Sequence, residues 1–255
     1  MVIMAYLMIF LFGLCAGSFF NVLLFRLDKK EGILTGRSEC MNCHHQLKWY
    51  DLIPLLSYVY LKGNCRYCGA EISMTYPVVE LIIALVFVLY FYVRGLAFNT
   101  NNIYDILIIN LFLLLIFFDA IYMILPDKIV FTAISAALIF TVIFKRSELM
   151  SLLLWGFLFG LAFAIIYLVS RGQWMGFGDI KLALAIGLIL GYPGIFAIVL
   201  AVWVAAAWGI FLMIFKKADL KTALPFGSFL SGAAIIFIIF NEHLRTIINE
   251  YVYFL

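Results

Sequence analysis

Residues 111–119 read Leu-Phe-Leu-Leu-Leu-Ile-Phe-Phe-Asp, an unbroken apolar run closed by the carboxylate of Asp119. The apolar text reaches back to about residue 103, close to the roughly 20 helical residues that cross a hydrocarbon core. An ionisable side chain at bilayer depth costs roughly 2.5 to 3.5 kcal/mol on insertion scales, so one kept there is a functional candidate by default. A second acid, Asp179, follows Gly176-Phe177-Gly178 at the mouth of another apolar run. Two such carboxylates in one small protein point to a shared acid/base site.

The surrounding sequence makes a membrane setting secure. Hydrophobic residues make up 67% of the chain and charged ones 12%, with a mean hydropathy of +1.14. Eight apolar runs are expected as spans, at about 2–25, 77–98, 103–119, 129–144, 150–170, 179–191, 194–215 and 225–241. The sixth is short. Continuous runs without two-residue alternation exclude a closed β-barrel. The expected fold is therefore an all-α polytopic membrane protein of about eight transmembrane helices.

Basic residues accumulate in cytoplasmic loops. With the amino terminus outside, every Lys and Arg except Arg94, Lys145, Arg146 and Arg245 falls inside. Both acids then lie near the cytoplasmic ends of the third and sixth spans. The first span is read as a retained helix, because a cleavable signal needs basic residues before its apolar stretch and here they follow it. The net charge of +3 reflects this topology and gives no reason to invoke nucleic acid. The tail from Glu242 to Leu255 mixes charged and aromatic residues and is read as an interfacial helix.

One polar island, residues 26–77, interrupts the apolar text and holds Cys40-x-x-Cys43 and Cys65-x-x-Cys68. Paired CxxC knuckles set four sulfur ligands around a tetrahedral ion, so the spacing predicts a closed structural Zn²⁺ site of zinc-ribbon type. Two disulfides are the alternative, but they are rare in the reducing cytosol to which the topology assigns the island. His44 and His45 adjoin Cys43 and are read as surface residues, with four thiols already available. Cys15 is read as packing. The domain organisation is a first helix (1–25), a cytosolic tetracysteine module (26–77) and a transmembrane bundle (78–255).

The other acids have local explanations. Asp127, just before the fourth span, suits an N-cap. Glu80 is placed in the first turn of the second span, where the helix dipole favours negative charge. Asp119 ends its helix, where that dipole disfavours it. Asp179 suits a cap as well, but Gly176 and Gly178 leave room for another backbone to approach its carboxylate. Lys128 and Lys181 adjoin the two motifs and are read first as snorkelling side chains. Like charges a few ångströms apart cannot both ionise, so a meeting pair shares one proton: one carboxylate activates water and the other protonates a scissile carbonyl.

These residues resemble the bacterial type IV prepilin leader peptidase/N-methyltransferases, GxGD-type intramembrane aspartyl proteases, over nearly the whole chain. Gly17-Ser18-Phe19-Phe20-Asn21-Val22 with Arg26 looks like the family's first motif, and Cys40 to Cys68 like its tetracysteine region. The latter includes Trp49-Tyr50-Asp51-Leu52-Ile53-Pro54 and is followed by Tyr76-Pro77-x-x-Glu80. Asp119 with Leu125-Pro126-Asp127, and Gly176-Phe177-Gly178-Asp179-Ile180-Lys181, resemble the two catalytic signatures. Asp28 stands where the family commonly has proline. The resemblance implies cleavage of prepilin or pseudopilin leaders at the cytoplasmic membrane face of a bacterium, typically between Gly and an aromatic or Met residue, with Asp119 and Asp179 catalytic. It also implies methylation of the new α-amino group by S-adenosylmethionine.

The chain has no G-x-G-x-x-G turn, so its residues alone do not suggest that cofactor. Asn21 and Arg26, on one face of the first helix with Ser18, are the candidate cofactor-orienting residues. Two rival classes are a proton-coupled transporter with a regulatory cysteine module and a membrane-anchored assembly scaffold. A peptidase without transferase activity is the narrower alternative.

Overall fold

The computed structural model describes residues 2–28, 37–215 and 223–240, and the proposed tail helix from Glu242 lies outside them. The chain divides into two compact units, Met1–Ala97 and Phe98–Leu255. All regular elements among the described residues are helical, apart from two isolated β-bridges.

In the first unit, α1 (Val2–Asp28) packs against α3 (Thr75–Arg94), with a 3-10 turn at Trp49–Asp51 and the short α2 (Leu56–Tyr60) between them. The long pair is antiparallel, with Gly13 against Ala84, Gly17 against Glu80 and Asn21 Nδ2 donating to the Tyr76 carbonyl at 3.1 Å. Residues 13, 17 and 21 are four apart and share one helix face. Glycine is required at 17, since a Cβ there would lie 2.5 Å from the Glu80 Cα. Gly17→Ala therefore forces backbone apart and is expected to cost about 1 to 3 kcal/mol. Thermal unfolding in detergent checks this, and an unchanged midpoint refutes the packing described.

The second unit comprises α4 (Thr100–Tyr122), α5 (Asp127–Phe144), α6 (Leu149–Ser170), α7 (Phe177–Leu190), α8 (Gly194–Ile214) and α9 (Phe226–Ile239). Helix α7 contacts α5, α6, α8 and α9. Its Leu182, Ala183, Ala185 and Ile186 are wholly buried. That enclosure accounts for the short sixth span, because a helix sheathed by protein along most of its length need not match lipid thickness. Gly187 would place a Cβ 2.5 Å from the Trp155 carbonyl, so α6 and α7 touch backbone to backbone.

Among the described residues, six helices, α1, α3, α4, α5, α6 and α8, are long and apolar enough to cross a bilayer. Helices α7 and α9 have 14 residues each. Two boundaries differ from expectation. Helix α3 stops at Arg94, before Gly95 with φ of 82°. Helix α4 runs one turn beyond Asp119 to Tyr122, closed by Met123 in the left-handed conformation, whose N–H bonds the Asp119 carbonyl.

Candidate functional site

Asp119 lies on α4, is 6% exposed, and has its carboxylate against the first turn of α9. Oδ2 accepts the Ser228 N–H at 2.6 Å, and the Ser228 hydroxyl lies 3.0 Å away. The unfavourable dipole at the carboxyl end of α4 is thus offset by the favourable amino terminus of α9. Gly227 makes the approach feasible: a Cβ there would sit 3.1 Å from Asp119 Oδ2 and 2.9 Å from two Leu125 methyl carbons.

Asp179 enters the same neighbourhood from α7. It is 6% exposed and accepts the Gly176 N–H on Oδ2 at 3.0 Å, so it does cap its helix. Gly178 lies under Leu125, where a Cβ would be 3.0 Å from that side chain's own Cβ. Leu125 therefore touches both Gly178 and Gly227, and the two carboxylates are within electrostatic reach of each other. The group admitted by Gly178 is a leucine side chain, where backbone was expected. A Cβ at Gly176 would meet only ordinary contacts, the nearest 3.7 Å away.

Two further readings change. Asp127 is the first residue of α5 and makes no capping bond; its carboxylate pairs with Lys181 Nζ at 2.5 Å. The Lys181 ammonium sits between Asp127 and the rings of Phe177 and Phe131. Glu80 lies beyond the first turn of α3 and bonds sideways, accepting the Leu55 N–H at 2.8 Å. Ser228 and Gly227 were not expected. Pro225-Phe226-Gly227-Ser228 carries the proline and hydroxyl signals of a helix start, which is the clue the sequence offers.

The first unit carries the tetracysteine group and a cavity. The four Sγ atoms lie within 4.8 Å of one another, and Cys40 and Cys68 sulfurs are 3.8 Å apart. A tetrahedron with Zn–S bonds near 2.3 Å has sulfur–sulfur edges of about 3.8 Å, so the donor set fits zinc in kind and size. The knuckles have matching backbones: Cys40 N–H bonds the His45 carbonyl and Cys65 N–H the Ala70 carbonyl, with bridges Glu39–Gln46 and Asn64–Glu71 beside them.

The sulfurs also compete for protons. Ala70 N–H and then Asn42 Nδ2 lower Cys68 to about 6. Cys43 is pushed up to about 11, where the His45 N–H pulls down but loses to burial and the Cys40 and Cys68 sulfurs. Such crowding is what a bound cation relieves. Neither histidine joins the group, as His44 faces Glu39 and His45 stacks on Tyr67. Asp51 ties the module together by accepting Arg66 Nε at 2.7 Å, the Tyr67 hydroxyl and the Lys48 N–H.

The adjoining cavity has a volume of about 930 Å³, and its lining includes Ser18, Asn21, Arg26, Asp51, Tyr58 and Glu80. That size suits a small-molecule ligand. Asn21 and Arg26, expected together from sequence, both line it. Asn21 is 3% exposed, and its Oδ1 has no hydrogen-bond partner among the described residues. A buried acceptor left open beside a cavity fits a bound ligand that donates to it.

Comparison with known proteins places these features in a wider set. Residues 11–94 match the bacterial peptidase A24 N-terminal domain, and residues 106–210 match the type IV leader peptidase family. The prepilin leader peptidase/N-methyltransferase of Aeromonas salmonicida (strain A449) is 29% identical over 265 residues, covering 92% of this chain and 90% of that protein. Proteins of the same description from Klebsiella pneumoniae and Vibrio cholerae are 34% and 35% identical, covering 73% of this chain and 86% and 78% of their own lengths. No solved structure matches.

Proposed function

This chain belongs to the type IV leader peptidase family, and we propose from that premise that it cleaves prepilin or pseudopilin leaders with Asp119 and Asp179 and methylates the trimmed amino terminus. The observation that carries the peptidase reading is the approach of two buried carboxylates across Leu125, each held by a helix-start N–H. One shared proton leaves one carboxylate to activate water and the other to protonate the scissile carbonyl. A carboxylate pair on the helices of an apolar bundle suits a substrate whose own apolar segment lies in the bilayer. The setting is the cytoplasmic membrane of a bacterium, with the tetracysteine module in the cytosol.

Zinc would be held by Cys40, Cys43, Cys65 and Cys68 and would fix the fold of the module. S-adenosylmethionine, when bound, would supply the methyl group. Asn21 and Arg26 line the cavity that would receive it, together with Ser18 and Glu80. A proton-coupled transporter fits less well, because the acids cluster at one end of their helices and α7 is apolar from Leu182 to Leu190.

Two tests separate the parts of this reading. The first uses purified chain, a prepilin peptide and S-adenosylmethionine, followed by mass spectrometry. Asn21→Ala and Arg26→Ala are expected to yield trimmed product without the added methyl mass, while Asp179→Asn yields neither change, since the amine to be methylated does not exist before cleavage. Normal methylation by the Asn21 and Arg26 variants would return those side chains to a packing role.

The second test is Gly227→Ala, which pushes a methyl onto Asp119 Oδ2 and is expected to lower kcat for cleavage about a hundredfold, the scale of an ångström-size misplacement. Ser228→Ala keeps the N–H bond and should lose far less. Equal activities for the two variants would contradict this arrangement.

A further inference from the structure

The cavity of the first unit has an inner wall made of hydrogen-bond acceptors. The close crossing of α1 and α3 at Gly17 turns Ser18 and Asn21 toward the Glu80 side chain. Glu80 is 7% exposed and lines the cavity with Asn21. Its Oε2 accepts the Leu55 N–H, and the other groups acting on it, Ser18 and Asn21, are neutral. No cation is among them. Asn21 donates to the Tyr76 carbonyl, which leaves its buried Oδ1 without a partner among the described residues.

A cap needs one carboxylate oxygen, and Leu55 is served by one. Among the described residues, the arrangement leaves a negative group with no cation acting on it, next to an open neutral acceptor and facing a cavity large enough for a ligand. A ligand group that answers both must bring positive charge and several N–H donors.

We propose that Glu80 and Asn21 Oδ1 form the acceptor end of a binding subsite for a protonated primary amine. The proposal rests on the reading that this cavity serves methyl transfer, a reaction with two amines of that kind: the α-ammonium of the trimmed substrate and the methionyl ammonium of S-adenosylmethionine. Glu80 takes the charge, and Asn21 Oδ1 takes one N–H. Both residues bind and position the ligand.

Equilibrium binding to the full chain in detergent tests this with two pairs of probes. One pair is a peptide of mature pilin amino-terminal sequence with a free α-amine, and the same peptide acetylated. The other is S-adenosylmethionine, and methylthioadenosine, which lacks the amino-acid portion. The wild type is expected to prefer the amine-bearing member of one pair about tenfold, the scale of one charge-assisted hydrogen bond. Glu80→Gln preserves shape and the Leu55 bond and should erase that preference. Loss within the peptide pair assigns the subsite to the substrate, and loss within the nucleoside pair assigns it to the methyl donor.

Asn21→Ala removes Oδ1 and should narrow the preference while leaving the affinity for the amine-free member unchanged, a split that no packing role produces. The inference is overturned if Glu80→Gln, folded by its wild-type zinc content, binds all four probes as the wild type does. It is equally overturned if Glu80→Gln does not fold and Asn21→Ala weakens both members of each pair alike. A wild type that binds none of the probes refutes the methyl-transfer reading and this inference with it. Binding without any amine preference refutes the inference alone.

Discussion

Asp119→Asn and Asp179→Asn are each expected to abolish leader cleavage while leaving expression and membrane insertion at wild-type levels. The amide is nearly isosteric, and its oxygen can still accept the Ser228 N–H in one case and the Gly176 N–H in the other. The local fold therefore survives. What disappears is the shared proton, because an amide neither takes a proton from water nor yields one to a carbonyl. General acid–base catalysis contributes roughly a hundredfold to ten-thousandfold per group, and with no shared proton the remaining carboxylate loses its role as well, so both contributions go together and cleavage falls by about ten-thousandfold or more. Asp127→Asn is the control: its side chain is 59% exposed and its pairing with Lys181 is a surface contact worth about 1 kcal/mol or less. It should retain much of the activity. Processing of a co-expressed prepilin, followed by gel mobility, reads all three variants together.

The second large effect concerns the cysteines. Purified wild type is expected to contain about one zinc per chain, and Cys40→Ser or Cys65→Ser to lose both the metal and the fold of the module. Binding free energies of structural zinc are about 10 to 16 kcal/mol, far more than two short knuckles and their bridges supply by themselves. Cys65 is the stricter test because it is buried, and a hydroxyl there cannot replace a thiolate. Metal analysis after reducing, chelator-free purification reads the outcome. Wild-type protein without zinc would leave the four sulfurs without the role assigned to them.

Much of this was legible in the chain itself. Apolar runs located the long helices because bilayer crossing imposes length and composition locally. Asp119 and Asp179 stood out because charge is rare in such text, and the two CxxC pairs because metal ligation fixes spacing. The partners of these residues were not legible. Ser228 lies 109 positions from Asp119, Lys181 lies 54 from Asp127 and Leu55 lies 25 from Glu80. No local periodicity encodes such distant pairings.

Each misplaced acid was assigned to the nearest helix end, whereas the folded chain gave it a partner from another element. The extra turn of α4 is a related case. Ala120, Ile121 and Tyr122 continue the helix until Met123 takes a left-handed cap, and the sequence there carries no glycine to announce the stop.

The most direct test of the central claim is cleavage of a synthetic prepilin by the purified chain, read by mass spectrometry with and without a chelator during the assay. The account predicts release of the leader at the same initial rate in both conditions, since the two carboxylates act without a metal, and no release by Asp119→Asn. An uncut prepilin with the wild type, prompt loss of cleavage on adding chelator while the module stays folded, or a cleaving Asp119→Asn enzyme would contradict it.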